Sequence, residues 1–207
     1  MKDLIIVCAG GFGKEALSIA ERMNEKNPQW NILGFIDDTK EIGEEIFRGY
    51  KVLGNIKDWQ PKPNEYFAIG MAKPQAKEKL YNIIHSKGGK FATLIHPSLN
   101  IPRETVIGEG CIISLGWIGI NVTLGKCVHI AGSMIGEAVI DDFSTTTGFT
   151  NIAGATIGKR VFVGSHAVVL NGKKVGDDAT IGAGSIVFNN VKTNTTVIGN
   201  PAKKIDF

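Results

Sequence analysis

The chain has 207 residues, 23 Lys and Arg against 20 Asp and Glu, a net charge of +3 and 43% hydrophobic residues. That length holds one or two packed domains, and the near-balanced charge, with no polybasic block, excludes a nucleic-acid binder built on phosphate contacts. No apolar run approaches the ~20 residues of a membrane-spanning helix, and three cysteines without metal spacing (Cys8, Cys111, Cys127) read as reduced packing residues of a cytoplasmic protein.

From the N-terminus, Leu4-Ile-Ile-Val-Cys8 is an apolar run suited to a buried parallel strand and too short for a signal peptide. A glycine turn follows, then Lys14 to Asn24, where Ala16, Leu17, Ile19 and Ala20 make one helical face. Ile32 to Ile36 is a second strand ending at Asp37-Asp38, which completes a right-handed βαβ unit. Thr39 to Pro63 is weakly patterned, a loop with one short strand near Val52. Glu65 to Ile69 is a third strand ending at Gly70. Pro74 to Ser86 is an amphipathic helix with Leu80, Ile83 and Ile84 inward, and Phe91 to Ile95 a further strand.

The glycine turn reads Gly10-Gly11-Phe12-Gly13-Lys14-Glu15-Ala16, a G-x-G-x-x-A pattern between strand and helix. Glycines let a phosphate approach the backbone, and the helix start supplies N–H groups for its negative charge. The acidic pair Asp37-Asp38 is placed to accept hydrogen bonds from a ribose or base. About 90 residues is short for a full dinucleotide fold, so a mononucleotide is the expectation rather than NAD.

Beyond residue 106 the chain repeats itself. Ile107, Ile113, Ile118, Leu124, Ile130, Ile135 and Ile140, then Ile152, Ile157, Val163, Val169, Val175, Ile181 and Val187, recur every five to six residues in most places, often followed by Gly. A period this short, rich in β-branched residues and Gly, excludes helices and predicts a solenoid of short strands and tight turns. Ile157 to Val175 spans 18 residues, divided evenly by Val163 and Val169, whereas Leu124 to Ile140 spans 16. Two residues are missing from that coil.

This region resembles the hexapeptide-repeat acyltransferases, whose repeats wind into a left-handed parallel β-helix. With the small βαβ domain before it, the chain looks like the NeuD/PglD-type sugar acetyltransferases nearly end to end. The likeness rests on Ala9-Gly10-Gly11-Phe12-Gly13, Phe35-Ile36-Asp37-Asp38, Ala68-Ile69-Gly70, Leu94-Ile95-His96-Pro97-Ser98 and Gly199-Asn200-Pro201-Ala202-Lys203. It implies an α/β plus all-β fold, with a nucleotide-sugar-binding domain over 1–95 and a left-handed β-helix over 96–207. It also implies a homotrimer, with acetyl-CoA as cosubstrate lying between subunits along the β-helix. The resemblance assigns the nucleotide sugar to Gly10, Gly11, Phe12, Gly13, Asp37, Asp38 and Gly70. It assigns the pantetheine arm to small turn residues Ala153, Gly154, Gly164, Ser165, Gly182 and Ala183. Lys159, Arg160, Lys173, Lys174 and Lys203 are candidates for the CoA phosphates. No His, Cys and carboxylate cluster suggests a metal.

One family feature is missing. Such enzymes carry His followed by an acidic residue on a β-helix turn, as general base and orienting acid. Here that stretch reads Gly132-Ser133-Met134-Ile135-Gly136-Glu137-Ala138, and only the acidic member, Glu137, is present. A second His found one turn later in relatives is replaced within Phe143-Ser144-Thr145-Thr146, and Phe12 stands where the family's loop often has His. The replacement candidates are Glu137, if burial raises its pKa, and His129, which precedes the inward Ile130 and is expected to face outward. Acetyl-CoA-dependent acylation of the amine or hydroxyl of a nucleotide-linked amino sugar or sialic acid, for surface glycan synthesis, is the expected function. The alternative is a nucleotide-sugar-binding homologue that has lost acyl transfer.

Overall fold

A computed structural model of the chain describes residues 1–205. β1 (Lys2–Val7) is buried from Leu4 onward and pairs in parallel with β2 (Trp30–Ile36) and β5 (Glu65–Ile69). Strands buried on both faces need apolar residues at successive positions, which is why Leu4 to Val7 does not alternate. α1 (Gly11–Lys26) crosses between β1 and β2, burying Ala16, Leu17, Ile19 and Ala20. The weakly patterned segment holds more than one short strand. β3 (Glu45–Phe47) and β4 (Tyr50–Gly54) form an antiparallel hairpin at Arg48-Gly49, and β4 adds to β2 in parallel. Both turn residues have positive φ, 52° and 82°, the conformation that matches a two-residue hairpin to strand twist.

α2 (Pro74–His85) differs from expectation in the face it buries. Pro74, Lys77, Tyr81 and Ile84 are inward, while Ile83 is exposed and Leu80 partly buried. The expected strand over 91–95 divides in two. β6 (Lys90–Phe91) closes the first sheet beside β5, and β7 (Leu94–Ile95) pairs with Ile112–Ile113 in the next domain's sheet. The chain therefore passes from one sheet to the other at Ala92-Thr93.

From Val106 the chain winds as a three-sided parallel β-helix. The first face stacks Val106–Ile107, Thr123–Leu124, Val139–Ile140, Thr156–Ile157 and Lys174–Val175. The second stacks Ile112–Ile113, His129–Ile130, Thr145–Thr146, Phe162–Val163 and Thr180–Ile181. The third stacks Gly116–Ile118, Ser133–Gly136, Asn151–Ala153, Val168–Val169 and Ile186–Val187. Every apolar marker from Ile113 on points into one continuous buried core. In the column of apolar markers one inward place is taken by a polar residue. Thr146 follows Ile130 in the inward column, and its hydroxyl lies 2.8 Å from that of Ser133, which also accepts from Thr150 at 2.6 Å. A buried hydroxyl needs such a partner, and here three satisfy one another.

The registers locate the two missing residues. From first face to second, every coil steps six residues, as in Thr123 to His129. From second to third, Ile112 to Trp117 and His129 to Met134 step five, whereas Thr145 to Asn151 and Phe162 to Val168 step six. From third to first, Met134 to Val139 and Asn151 to Thr156 step five, against six for Val168 to Lys174. The coil carrying Glu137 is thus short by one residue at each of two corners. The core stays in register because its inward side chains remain paired.

The N-terminal domain rests on the second face. Tyr81 donates its hydroxyl to Glu109 at 2.7 Å, with its ring against Phe91 and Phe143. Arg160 makes two bonds of 2.8 Å to the Asp178 carboxylate and reaches Glu78 of α2 at 3.3 Å.

Candidate nucleotide pocket and the corners of the β-helix

A cavity of about 600 Å³ opens beside the glycine turn, lined among others by Gly10, Gly11, Phe12, Asp37, Asp38 and Gly70. Six of the seven residues assigned to a nucleotide sugar therefore meet in one place, and the seventh, Gly13, lies just behind. The glycines do different things. A Cβ on Gly13 would overlap the Cys8 carbonyl oxygen, and one on Gly70 would collide with the Gly13 backbone, so these two let the loop close on the end of β5. Gly10 and Gly11 have nothing within 4 Å of an added Cβ, so their open side faces the cavity. α1 begins there with no side-chain cap and no acidic residue in its first turn, which leaves the positive end of its dipole to an incoming anion.

Asp37 and Asp38 are largely engaged within the chain. Asp37 accepts from the Ala9 N–H at 2.8 Å and from the Thr39 N–H and hydroxyl, both at 2.7 Å. Burial pushes its pKa up, but the Thr39 and Ala9 hydrogen bonds outweigh that and hold the carboxyl below its usual value. Asp38 accepts from the Ile56 N–H at 2.8 Å. Both carboxylates pin the loops that frame the cavity, and only their remaining lone pairs face a ligand. Cys8, also in the wall, is held up to about 12 by burial and by the two aspartates, so it stays a thiol.

The two candidate bases sit apart from one another. Glu137 is exposed on the corner between the third and first faces, with φ of 49° and its N–H donated to the Ile120 carbonyl at 3.0 Å. The burial its role calls for is absent there. That corner lies opposite the face that carries the N-terminal domain. It is covered instead by the indole of Trp117, which stands over Gly119 and Gly136; a Cβ on Gly136 would lie 3.0 Å from the ring.

His129 is corrected in exposure. It points outward from the coil, as its place before Ile130 requires, yet it is 1% exposed because the N-terminal domain covers this face. Its ring stacks on Phe12 with centroids 5.9 Å apart. Neither ring nitrogen has a hydrogen-bond partner among the described residues, although the Ile69 backbone lies near enough to favour the proton. Burial and the Lys77 charge keep the imidazole neutral, well below its ordinary pKa.

The small turn residues divide between two corners. Ala153-Gly154 shares Glu137's corner, and Gly154 packs against Asn171 with φ of 62°. Gly164-Ser165 and Gly182-Ala183 lie on the corner between the second and third faces, beside exposed Phe149 and its ring partner His166, 5.0 Å away. Within one chain these sets are not neighbours. Of the basic candidates, Arg160 is committed to Asp178 and Glu78, and Lys159 pairs with Asp142 at 3.4 Å.

Lys77 was missed by the sequence reading. It is fully buried between α2 and the second face, donating to the Thr145 hydroxyl at 2.8 Å and the Ser144 carbonyl at 3.1 Å. Burial lowers its pKa to about 7. The signal was present in the spacing Pro74, Lys77, Tyr81, Ile84, which is one helical face.

Residues 3–84 match the family model of the PglD N-terminal domain. Over its whole length the chain is similar to GDP-perosamine N-acetyltransferase of Escherichia coli O157:H7, 28% identical over 209 residues, covering 95% of this chain and 93% of that protein. The structure of WeeI from Acinetobacter baumannii AYE superposes with a TM-score of 0.87 at 25% identity, covering 99% of this chain and 100% of the other. The chain is thus similar end to end to sugar acetyltransferases, and its first part matches the PglD N-terminal domain. Its solenoid is accordingly a left-handed parallel β-helix. The same fold is seen at a TM-score of 0.78 and 20% identity, over 100% of this chain and 98% of the other, in PerB from Caulobacter crescentus in complex with CoA and GDP-perosamine. Other relatives share only part of their length. The chain spans 25% of the bifunctional protein GlmU of Shouchella clausii, at 31% identity over 114 residues and 47% of this chain.

Proposed function

We propose that this protein transfers the acetyl group of acetyl-CoA to the amine of a nucleotide-linked amino sugar, in the synthesis of a cytoplasmic precursor of a surface glycan. The observation that carries the reading is the cavity at the glycine turn, open at Gly10 and Gly11 and facing the start of α1, in a chain similar end to end to GDP-perosamine N-acetyltransferase. The nucleotide diphosphate lies against that helix start, and the sugar extends from the cavity. The amine lone pair attacks the thioester carbonyl, the C–N bond forms, the C–S bond breaks, and the sulfur leaves as a thiolate that takes up a proton. The ammonium proton must go to a base or to water. Glu137 is the residue assigned to accept it, since His129 is buried behind Phe12.

A homotrimer joins what one chain keeps apart. Leu115, Trp117, Met134 and Phe149 form an exposed apolar stripe along the third face and its corner, the kind of surface that marks a protein interface. A neighbour docked there brings the Glu137 corner of one subunit against the Gly164-Ser165 and Gly182-Ala183 corner of another. Acetyl-CoA occupies the groove between them, along both sets of small residues.

A second reading, a binding homologue without turnover, is favoured by the shortened corner under the Trp117 indole, where the family base is missing. The test is CoA thiol release with UDP- and GDP-linked amino sugars, with the product read by mass spectrometry. Glu137→Gln should lower kcat by about 10²–10⁴ with the acetyl-CoA Kd unchanged. Wild-type protein that binds both ligands without releasing CoA establishes the second reading. Full activity in Glu137→Gln removes Glu137 as the base.

A further inference from the structure

Two lips of the cavity are held from outside the N-terminal domain. One is Gly70-Met71-Ala72, after β5. The Ala72 carbonyl accepts the Thr145 hydroxyl at 2.8 Å, and Thr145 belongs to the β-helix. The Ala72 carbonyl can only accept, so it takes the single hydroxyl hydrogen of Thr145, and at 2.8 Å Lys77, charged or neutral, is left to donate to the Thr145 oxygen. The direction of the chain Lys77 to Thr145 to Ala72 is fixed by this inventory. The other lip is Phe12 in the glycine turn, whose ring rests on His129. His129 and Thr145 are paired neighbours on adjacent coils of the second face.

We infer that the second face of the β-helix is a working wall of the nucleotide pocket, with Thr145, Lys77 and His129 as positioning residues for the two lips. The inference rests on the reading of the cavity as a nucleotide site. Packing alone does not account for the arrangement. A lysine without a carboxylate is an expensive group to bury, and a methionine would fill the same space. His129 likewise keeps a buried imidazole that has nothing but the nearby Ile69 backbone to answer its nitrogens, where any ring would stack on Phe12. Lys77 bonds Ser144 and Thr145, and the Thr145 hydroxyl bonds the 70–72 segment directly, so removing that hydroxyl frees a pocket wall rather than opening a core.

The test is calorimetric titration of the full chain with UDP, GDP and acetyl-CoA, in wild type, Thr145→Val and Thr145→Ser. Valine keeps the shape and removes the hydroxyl; serine keeps the hydroxyl. The expected result is a loss of about tenfold in nucleoside diphosphate affinity for Thr145→Val, acetyl-CoA affinity within about twofold of wild type, and recovery in Thr145→Ser. His129→Ala should weaken the same ligand while His129→Phe retains it, with the folded fraction of each variant checked by circular dichroism. Unchanged nucleotide affinity in Thr145→Val overturns the inference, as does an equal loss for acetyl-CoA, which marks a general structural defect. Wild-type protein that binds acetyl-CoA but neither UDP nor GDP removes the nucleotide reading, and this inference with it.

Discussion

Lys77 should make stability rise with pH across neutrality. In the folded chain burial holds its pKa at about 7, while an unfolded lysine titrates near 10.4. Below pH 7 both states carry the proton and the full cost of burying the charge is present. Above pH 7 the folded lysine loses its proton and the unfolded one does not, so the unfolded state binds more protons and stability increases. Integrated from pH 7 to 8.5, the gain is about 1.5 kcal/mol, or roughly 3–6 °C in Tm for a chain of this size. The upper limit of the window is set by Cys8, Cys111 and Cys127. Burial raises all three thiols, so their ionisation in the unfolded chain lowers stability above about pH 8.5. Cys111, Cys127 and His129 all bear on Lys77, the thiols protonated and the imidazole neutral across this range. Lys77→Met removes the one titration and keeps the others. Urea unfolding at fixed protein concentration, followed by circular dichroism at intervals from pH 6 to 8.5, gives the difference between wild type and variant. That difference should be flat below about pH 6.5 and grow in favour of wild type above it. A flat difference throughout, or one that shrinks as pH rises, refutes the reasoning.

The glycine turn separates packing from binding. Gly13→Ala should destabilise the fold by several kcal/mol, on the order of an overpacked core, whereas Gly11→Ala should unfold with wild-type stability yet bind UDP or GDP at least about tenfold more weakly, by thermal melts and calorimetry. Arg160→Ala should cost about 1–2 kcal/mol, as expected for a partly exposed bidentate pair. It should also speed proteolysis at the segment around Ala92-Thr93, read by mass spectrometry of the fragments. The three thiols, protonated and buried, should resist iodoacetamide at pH 8 in the native protein and react fully in urea; rapid native labelling of Cys8 would contradict its elevated pKa.

The β-helix was legible because its signal is redundant. A marker every five or six residues specifies an inward side chain, and the loss of one at Thr146 leaves the others to hold the register. The glycine turn was legible for a related reason: its residue types are forced by backbone contacts at Gly13 and Gly70 and by open space at Gly10 and Gly11. The docking of one domain on the other left a fainter trace. Lys77 and His129 carry polar side chains, and sequence patterns assign such residues to solvent unless a second surface is known to cover them. The second face looks like any other outward face of a coil until α2 is laid across it. Asp37 and Asp38 were readable as an acidic pair at a strand end, but their hydrogen bonds to Ala9, Thr39 and Ile56 depend on loops from three parts of the chain.

The shortened coil shows how two fewer residues reshape the corners of a coil without disturbing its fold. A single missing residue would move one corner relative to the coils above and below. Here one residue is lost between the second and third faces and another between the third and first, so Ile130, Ile135 and Ile140 all remain inward. The third-face strand between the two short corners carries Ser133, Met134 and Gly136, with Trp117 lying over the second corner. Gly136 is required by that indole, since any side chain there would press on it, and the corner leads directly into exposed Glu137. The chain therefore retains the paired core that makes a β-helix and changes only the surface at the two corners. Enlarging the corner tests this division. Gly136→Ala should displace the Trp117 indole and quench or shift its fluorescence, while the unfolding free energy falls by no more than about 1 kcal/mol. A loss comparable to that of Gly13→Ala would mean that the shortened corner is part of the core and not a surface fitted to a partner or ligand.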